Sequence, residues 1–144
     1  LFLATHAEIV ARIEVRLAAH ELPDLACYDV LWALERSQGQ RLRMSELAGA
    51  LVISRSNLTR LADRLEAAGL IRRERDAEDR RGAYAVLTKA GRKLRQKMWP
   101  VYREAITDLF ARHVADQEAA VLAKAFRRML RAMRETGGPS SIDG

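Results

Sequence analysis

A single cysteine, Cys27, occurs in the chain, so no intramolecular disulfide and no cysteine-based zinc cage can form. The three histidines, His6, His20 and His113, lack the spacing of metal ligands. No long uncharged apolar run is present, which excludes a membrane-spanning helix. Glu8, Arg12, Glu14 and Arg16 interrupt the first apolar residues, so no secretory pattern is read there and a cytoplasmic location is expected. Catalytic signatures are missing too: no G-x-S-x-G, no P-loop, no HExxH and no His–carboxylate–nucleophile set. The expectation is a protein that is not an enzyme and uses no cofactor. Prolines number three and glycines eight, and they fall between periodic segments. With 144 residues, 49% of them hydrophobic, the chain can build a core for one domain or two merged subdomains.

What is present is a segregated charge. Residues 54–97 hold 13 Lys and Arg against 6 Asp and Glu, whereas the whole chain has a net charge of +6. The basic excess therefore sits in one third of the molecule. A uniformly basic chain speaks only of solubility; a segregated excess speaks of one surface that faces a polyanion.

Periodicity predicts a mainly α protein with a small β-wing. A first helix is expected at about 3–20, on the stripe His6, Ile9, Val10, Ile13 and Leu17. Pro23-Asp24 opens a second, about 25–37, stopped by Gly39. Arg41–Arg43 reads as a short strand, and Ser45 as the cap of a third helix. Ser54 caps a fourth helix, whose buried stripe is Leu58, Leu61, Ala62 and Leu65 and whose end is Gly69. Leu70–Arg75 and Ala83–Leu87 read as antiparallel strands around the charged turn Asp79-Arg80-Arg81-Gly82. Thr88 caps a fifth helix, about 88–113 with Pro100 inside, and Asp116 caps a sixth, about 117–135. Residues 137–144 read as a flexible tail. The third and fourth helices followed by the hairpin are a helix-turn-helix with a wing, which sets one helix and one hairpin beside each other for two neighbouring DNA grooves.

The outer face of the fourth helix offers Ser54, Arg55, Ser56, Asn57, Thr59 and Arg60. These donate to base edges and phosphates: Arg to guanine or phosphate, Asn bidentately to adenine. Arg72, Arg73 and Arg75 alternate faces on a strand, so one or two of them are expected at phosphates. The first, fifth and sixth helices carry more apolar stripe than a small winged domain covers, which implies a symmetric homodimer.

The run Leu65-Glu66-Ala67-Ala68-Gly69-Leu70-Ile71, then Asp76-Ala77-Glu78-Asp79-Arg80-Arg81, then Leu87-Thr88-Lys89-Ala90-Gly91, follows an S-x-S-x-x-T-R helix. In that order the pieces resemble the MarR family of bacterial transcription regulators, over about residues 1–135. The resemblance implies a winged-helix dimer on inverted-repeat operators, usually a repressor, with small aromatic or phenolic ligands relieving repression. Arg81 matches the arginine of the family's wing, and a guanidinium on a hairpin tip fits the minor groove. Arg80 is a further candidate for DNA contact, and Asp79 either holds Arg81 or Arg80 in place or is a simple turn carboxylate. The expected division is 1–22 with 98–136 for dimerisation, 23–97 for DNA and 137–144 as tail.

Two readings stay open for Tyr28, Trp32 and His6: ordinary core packing, or walls of a ligand cavity completed by Met98 and Tyr102. In the second, His6, Arg12 or Arg16 meets a ligand carboxylate. Cys27 raises a redox-sensing alternative, opposed by Asp24 and Asp29, because acidic neighbours raise a thiol's pKa. A further alternative is a winged interaction module that does not bind DNA.

Overall fold

Each expected helix and strand forms, and most ends lie where a cap or turn residue was read. The computed structural model describes residues 1–51, 53–76 and 82–135. In chain order they form α1 (Phe2–Ala19), α2 (Leu25–Arg36), β1 (Arg41–Arg43), α3 (Met44–Leu51), α4 (Arg55–Ala67), β2 (Ile71–Arg75), β3 (Ala83–Leu87), α5 (Lys89–Leu109) and α6 (Asp116–Glu135). The chain divides into two compact units, residues 1–106 and the part from Thr107 onward. Among the described residues, no helix is long and apolar enough to cross a membrane. The tail 137–144 lies outside them.

Caps fix the ends. The Asp24 carboxylate accepts from the Cys27 N–H at 2.9 Å and starts α2. Gly69 ends α4 in a left-handed conformation, φ 70°. Around it the Leu70 N–H reaches the Leu65 carbonyl and the Gly69 N–H the Glu66 carbonyl, each at 2.9 Å. These two bonds are the Schellman arrangement, and they satisfy carbonyls the helix leaves open. Because Leu70 closes that turn, β2 begins at Ile71 rather than at Leu70.

Four further boundaries differ from expectation. α3 begins at Met44, and its first-turn acid Glu46 accepts from the Arg43 N–H at 2.9 Å, so Ser45 is not the cap. α6 likewise begins at Asp116, with Glu118 accepting from the Ala115 N–H at 2.8 Å. In both, the acid three residues in reaches back, one half of a capping box. α2 ends at Arg36, capped by Ser37, whose hydroxyl donates to the Leu34 carbonyl, and Gly39 serves the 3₁₀ turn that follows, at φ 67°. α5 stops at Leu109, because Phe110 leaves helical dihedrals and a 3₁₀ turn occupies Ala111–His113.

The three strands are antiparallel in the order β1-β3-β2, with Arg73 opposite Ala85 and Arg43 opposite Tyr84. β2 is therefore an edge. The core joins Val30, Leu31 and Leu34 of α2, Leu47 of α3, Leu58, Ala62 and Leu65 of α4, and Ile71, Ala85 and Leu87 of the sheet. Every buried hydrophobic side chain among the described residues lies within the first unit. Gly91 brings the first turn of α5 against the start of β2: a Cβ there would strike the Leu70 carbonyl oxygen and the Leu87 side chain. Thr88 seals the junction, its hydroxyl donating to the Leu70 carbonyl at 2.9 Å and accepting from the Gly91 N–H at 3.0 Å.

Candidate nucleic-acid interface

The periodicity of α4 sorts its side chains. Leu58, Ala62 and Leu65 are buried, and Ser54, Arg55, Ser56, Asn57, Thr59 and Arg60 are all exposed. Ser54 opens the helix: its hydroxyl accepts from the Asn57 N–H at 3.3 Å and lies 3.2 Å from the Ser56 hydroxyl. Thr59 donates its hydroxyl to the Arg55 carbonyl at 2.9 Å, which leaves the hydroxyl lone pairs and the methyl outward. The helix thus presents donors and a positive N-terminal dipole together, a combination suited to phosphate and base edges.

Beside it stands the wing. Its tip, with Asp79, Arg80 and Arg81, lies outside the described residues. Its base is tied down on both flanks. On one flank Arg43 reaches Asp76 at 2.5 Å and donates from Nε to the Tyr84 hydroxyl at 3.2 Å. Arg41 covers the Tyr84 ring, its guanidinium carbon 4.5 Å from the centroid. On the other flank Arg73 meets Glu66 and Asp63 of α4. Arg43, Met44, Arg55, Thr59 and Gly82 help line a cleft of about 270 Å³. Arg72 pairs with Glu74 at 2.6 Å, and Arg75 is exposed at the end of β2. On α4 itself Arg64 is held by Asp24 at 2.8 Å.

Sequence reasoning missed Arg41, Arg43, Asp76 and Tyr84 because they meet only when β1 pairs with β3. It also missed Glu66 and Asp63 as partners of Arg73. The signal was available there: acids three apart on one helix face, with an arginine just past the glycine that ends the helix.

The expected ligand residues divide. Tyr28 and Tyr102 come together, ring centroids 4.8 Å apart, and Met98 on α5 is fully buried. Trp32 is 38% exposed, flanked by the guanidinium of Arg36 at 5.5 Å and of Arg95 at 5.1 Å. Arg95 in turn pairs with Glu35 at 2.5 Å. His6 and Arg12 lie exposed on α1, with Arg12 paired to Glu8, and the carbonyl of Arg16 meets the His20 ring at 2.8 Å. Burial pushes the phenols of Tyr28 and Tyr102 above their ordinary pKa, so both are neutral at neutral pH. Burial, reinforced by Asp24, pushes the Cys27 thiol up to about 11.

Comparison with known proteins agrees with this architecture. A model described as the MarR family matches residues 21–82. The transcriptional regulator HosA of Escherichia coli O157:H7 is 30% identical over 113 residues, covering 77% of this chain and 82% of that protein. The crystal structure of AbsC, a MarR family transcriptional regulator from Streptomyces coelicolor, superposes with a TM-score of 0.84 at 32% identity, covering 93% of this chain and 90% of that one. Sco3205, a MarR family regulator of the same organism crystallised in complex with DNA, gives 0.81 at 26% identity, covering 99% and 87%.

Proposed function

The chain belongs to the MarR family of transcriptional regulators, and from that premise we propose that it is a homodimeric, sequence-specific repressor of double-stranded DNA, released by a small aromatic or phenolic ligand. One observation carries the DNA-binding reading: the outer face of α4 is exposed and offers Ser, Asn, Thr and Arg over a fully buried apolar stripe. Arg55, Asn57 and Arg60 read base edges in this proposal, Ser54 and Ser56 donate to phosphates, Thr59 offers its lone pairs and methyl to a base edge, and Arg72 or Arg75 adds backbone contacts. Arg80 and Arg81 take the minor groove, with Asp79 orienting them. That Sco3205 was crystallised with DNA supports the assignment.

Dimerisation is assigned to 1–22 with 98–136, and DNA binding to 23–97. Support for the dimer comes from α6, whose Val121, Leu122, Phe126, Met129, Leu130 and Met133 are all exposed. Two recognition helices about one DNA turn apart, roughly 34 Å, then meet successive major grooves. The Tyr28–Tyr102 pair supports an aromatic effector site, since neutral phenols over an apolar floor suit an aromatic ring. Such a ligand must prefer the DNA-free form, because equal affinity for both forms shifts nothing. A repressor on DNA works in the cytoplasm.

Selection of bound sequences from a random duplex library tests the reading. The expected result is an inverted repeat with half-sites about 10 bp apart. A pool that never enriches refutes DNA binding and favours a winged interaction module.

A further inference from the structure

We propose that Arg73 is a positioning residue rather than a DNA contact: with Glu66 and Asp63 it clamps the edge strand of the wing to the recognition helix and so sets the spacing of the two DNA-reading elements. The proposal rests on the DNA-binding reading above. Its basis is geometric. Arg73 donates from Nε to one Glu66 oxygen at 2.8 Å, while its backbone N–H donates to the other at 2.8 Å. The same guanidinium donates to Asp63 at 2.5 Å. One carboxylate thus holds both the side chain and the main chain of a residue on another element.

Asp63 and Glu66 lie three apart on α4, so a single guanidinium reaches both. β2 is the edge strand, and the Arg73 N–H taken by Glu66 belongs to its unpaired row. The clamp therefore also covers a donor that the sheet leaves open. Isolated surface ion pairs contribute little, but a fork shared by two acids and a backbone donor is a network. It also accounts for two carboxylates on a helix proposed to enter a polyanion's groove. Arg72, one residue away, pairs with Glu74 on its own strand and, among the described residues, makes no such link to α4.

The clamp inverts the sign that charge counting gives. Removing an acid near DNA strengthens binding if charge alone matters. Removing Glu66 weakens it if the acid holds the wing in place. The test measures anisotropy of the full-length protein on a duplex selected from a random library. The variants are Glu66→Ala, Arg73→Ala and the two together. Each single variant is expected to weaken binding by about threefold to tenfold, and the double variant to be no weaker than either single one. Urea unfolding, run alongside, keeps its midpoint within the small range of a surface change, which separates positioning from global destabilisation. Hydrogen exchange at the Arg73 amide in the DNA-free protein must quicken in Glu66→Ala. Equal or tighter binding by Glu66→Ala overturns the proposal. So does a loss in Arg73→Ala alone accompanied by a drop of about one in the salt slope, the mark of a phosphate contact. If the unsubstituted chain selects no duplex, the DNA reading fails by itself, and unchanged amide exchange at Arg73 then removes the clamp as well.

Discussion

Helices α4 and α6 have the same apolar repeat and opposite fates. In α4 the stripe Leu58, Ala62 and Leu65 is at most 2% exposed, and the polar side faces outward. In α6 the stripe Leu122, Phe126, Met129, Leu130 and Met133 is 38–58% exposed. Periodicity announces two faces in both cases. It does not say which face the same chain covers. A satisfied apolar stripe leaves a polar face that selects a polar partner, whereas an open apolar stripe selects an apolar one. One molecule thus holds two exposed surfaces of opposite chemistry, the polar one proposed above for DNA and the apolar one proposed for a second copy.

The largest effect is expected from breaking the apolar side of this pair. Leu122→Asp combined with Phe126→Asp places two charges in the open stripe of α6. Sedimentation should show a monomer in place of a dimer. Operator affinity should fall by about 10²–10⁴-fold, because the second half-site then binds without tethering. A protein of unchanged mass and affinity would falsify the assignment of α6 to the dimer. Next in size is Leu58→Ala, which should cost about 2–5 kcal/mol in urea unfolding by opening a cavity in the α4 core. In the monomeric background Leu130→Ala should cost far less. Equal losses would erase the contrast between a stripe that is filled and a stripe that waits for its partner.

Most of the fold was legible because it is written in local terms. Ser54, Asp24, Thr88 and Gly69 announce helix ends through hydrogen bonds spanning no more than about five residues, and the structure makes them. β1 and β3 were read to the residue. The two misread helix starts share a cause. Ser45 and Asp116 look like caps, yet Glu46 and Glu118 do the capping, since a carboxylate within the first turn competes with the polar residue ahead of it. The side chains offered on the outer face of α4 followed from the same periodicity. The wing base did not, because Arg43 finds Asp76 across a sheet pairing that no short-range pattern encodes.

On the polar side of the comparison, Arg60→Ala should weaken operator binding by about 1–3 kcal/mol and relax discrimination at one base position. The urea midpoint should stay where it was, since Arg60 is exposed. Arg64→Ala, four residues on, is the control: that side chain is held by Asp24, so its loss should touch stability before specificity. If both changes act alike on specificity, the partition of α4 into a reading face and a holding face is wrong.

The smallest effect concerns Cys27, which tests how closed the covered side is. Its side chain is 1% exposed, and burial followed by Asp24 raises its pKa from 9.0 to about 11, Arg64 opposing. The folded protein therefore keeps a neutral thiol at neutral pH, and a thiolate is what oxidants and alkylating agents attack. Maleimide should fail to label the native protein at pH 7.5 and label it readily in urea, and peroxide should leave DNA binding unchanged. Rapid native labelling would restore the redox-sensing alternative. The same shift has a stability consequence with a definite sign. Below pH 9 both folded and unfolded states hold the proton, and the contribution of the buried neutral thiol is complete. Between pH 9 and 11 the unfolded chain releases its proton first, so unfolding becomes easier as pH rises, by about 2–3 kcal/mol at most. Tyr28 and Tyr102, also raised by burial, push the same way, so only a difference is informative. The urea midpoint of the unsubstituted protein should fall more steeply from pH 9 to 11 than that of Cys27→Ala. Parallel curves would mean that the thiol already meets solvent and that the α2–α4 side of the core is looser than its burial implies.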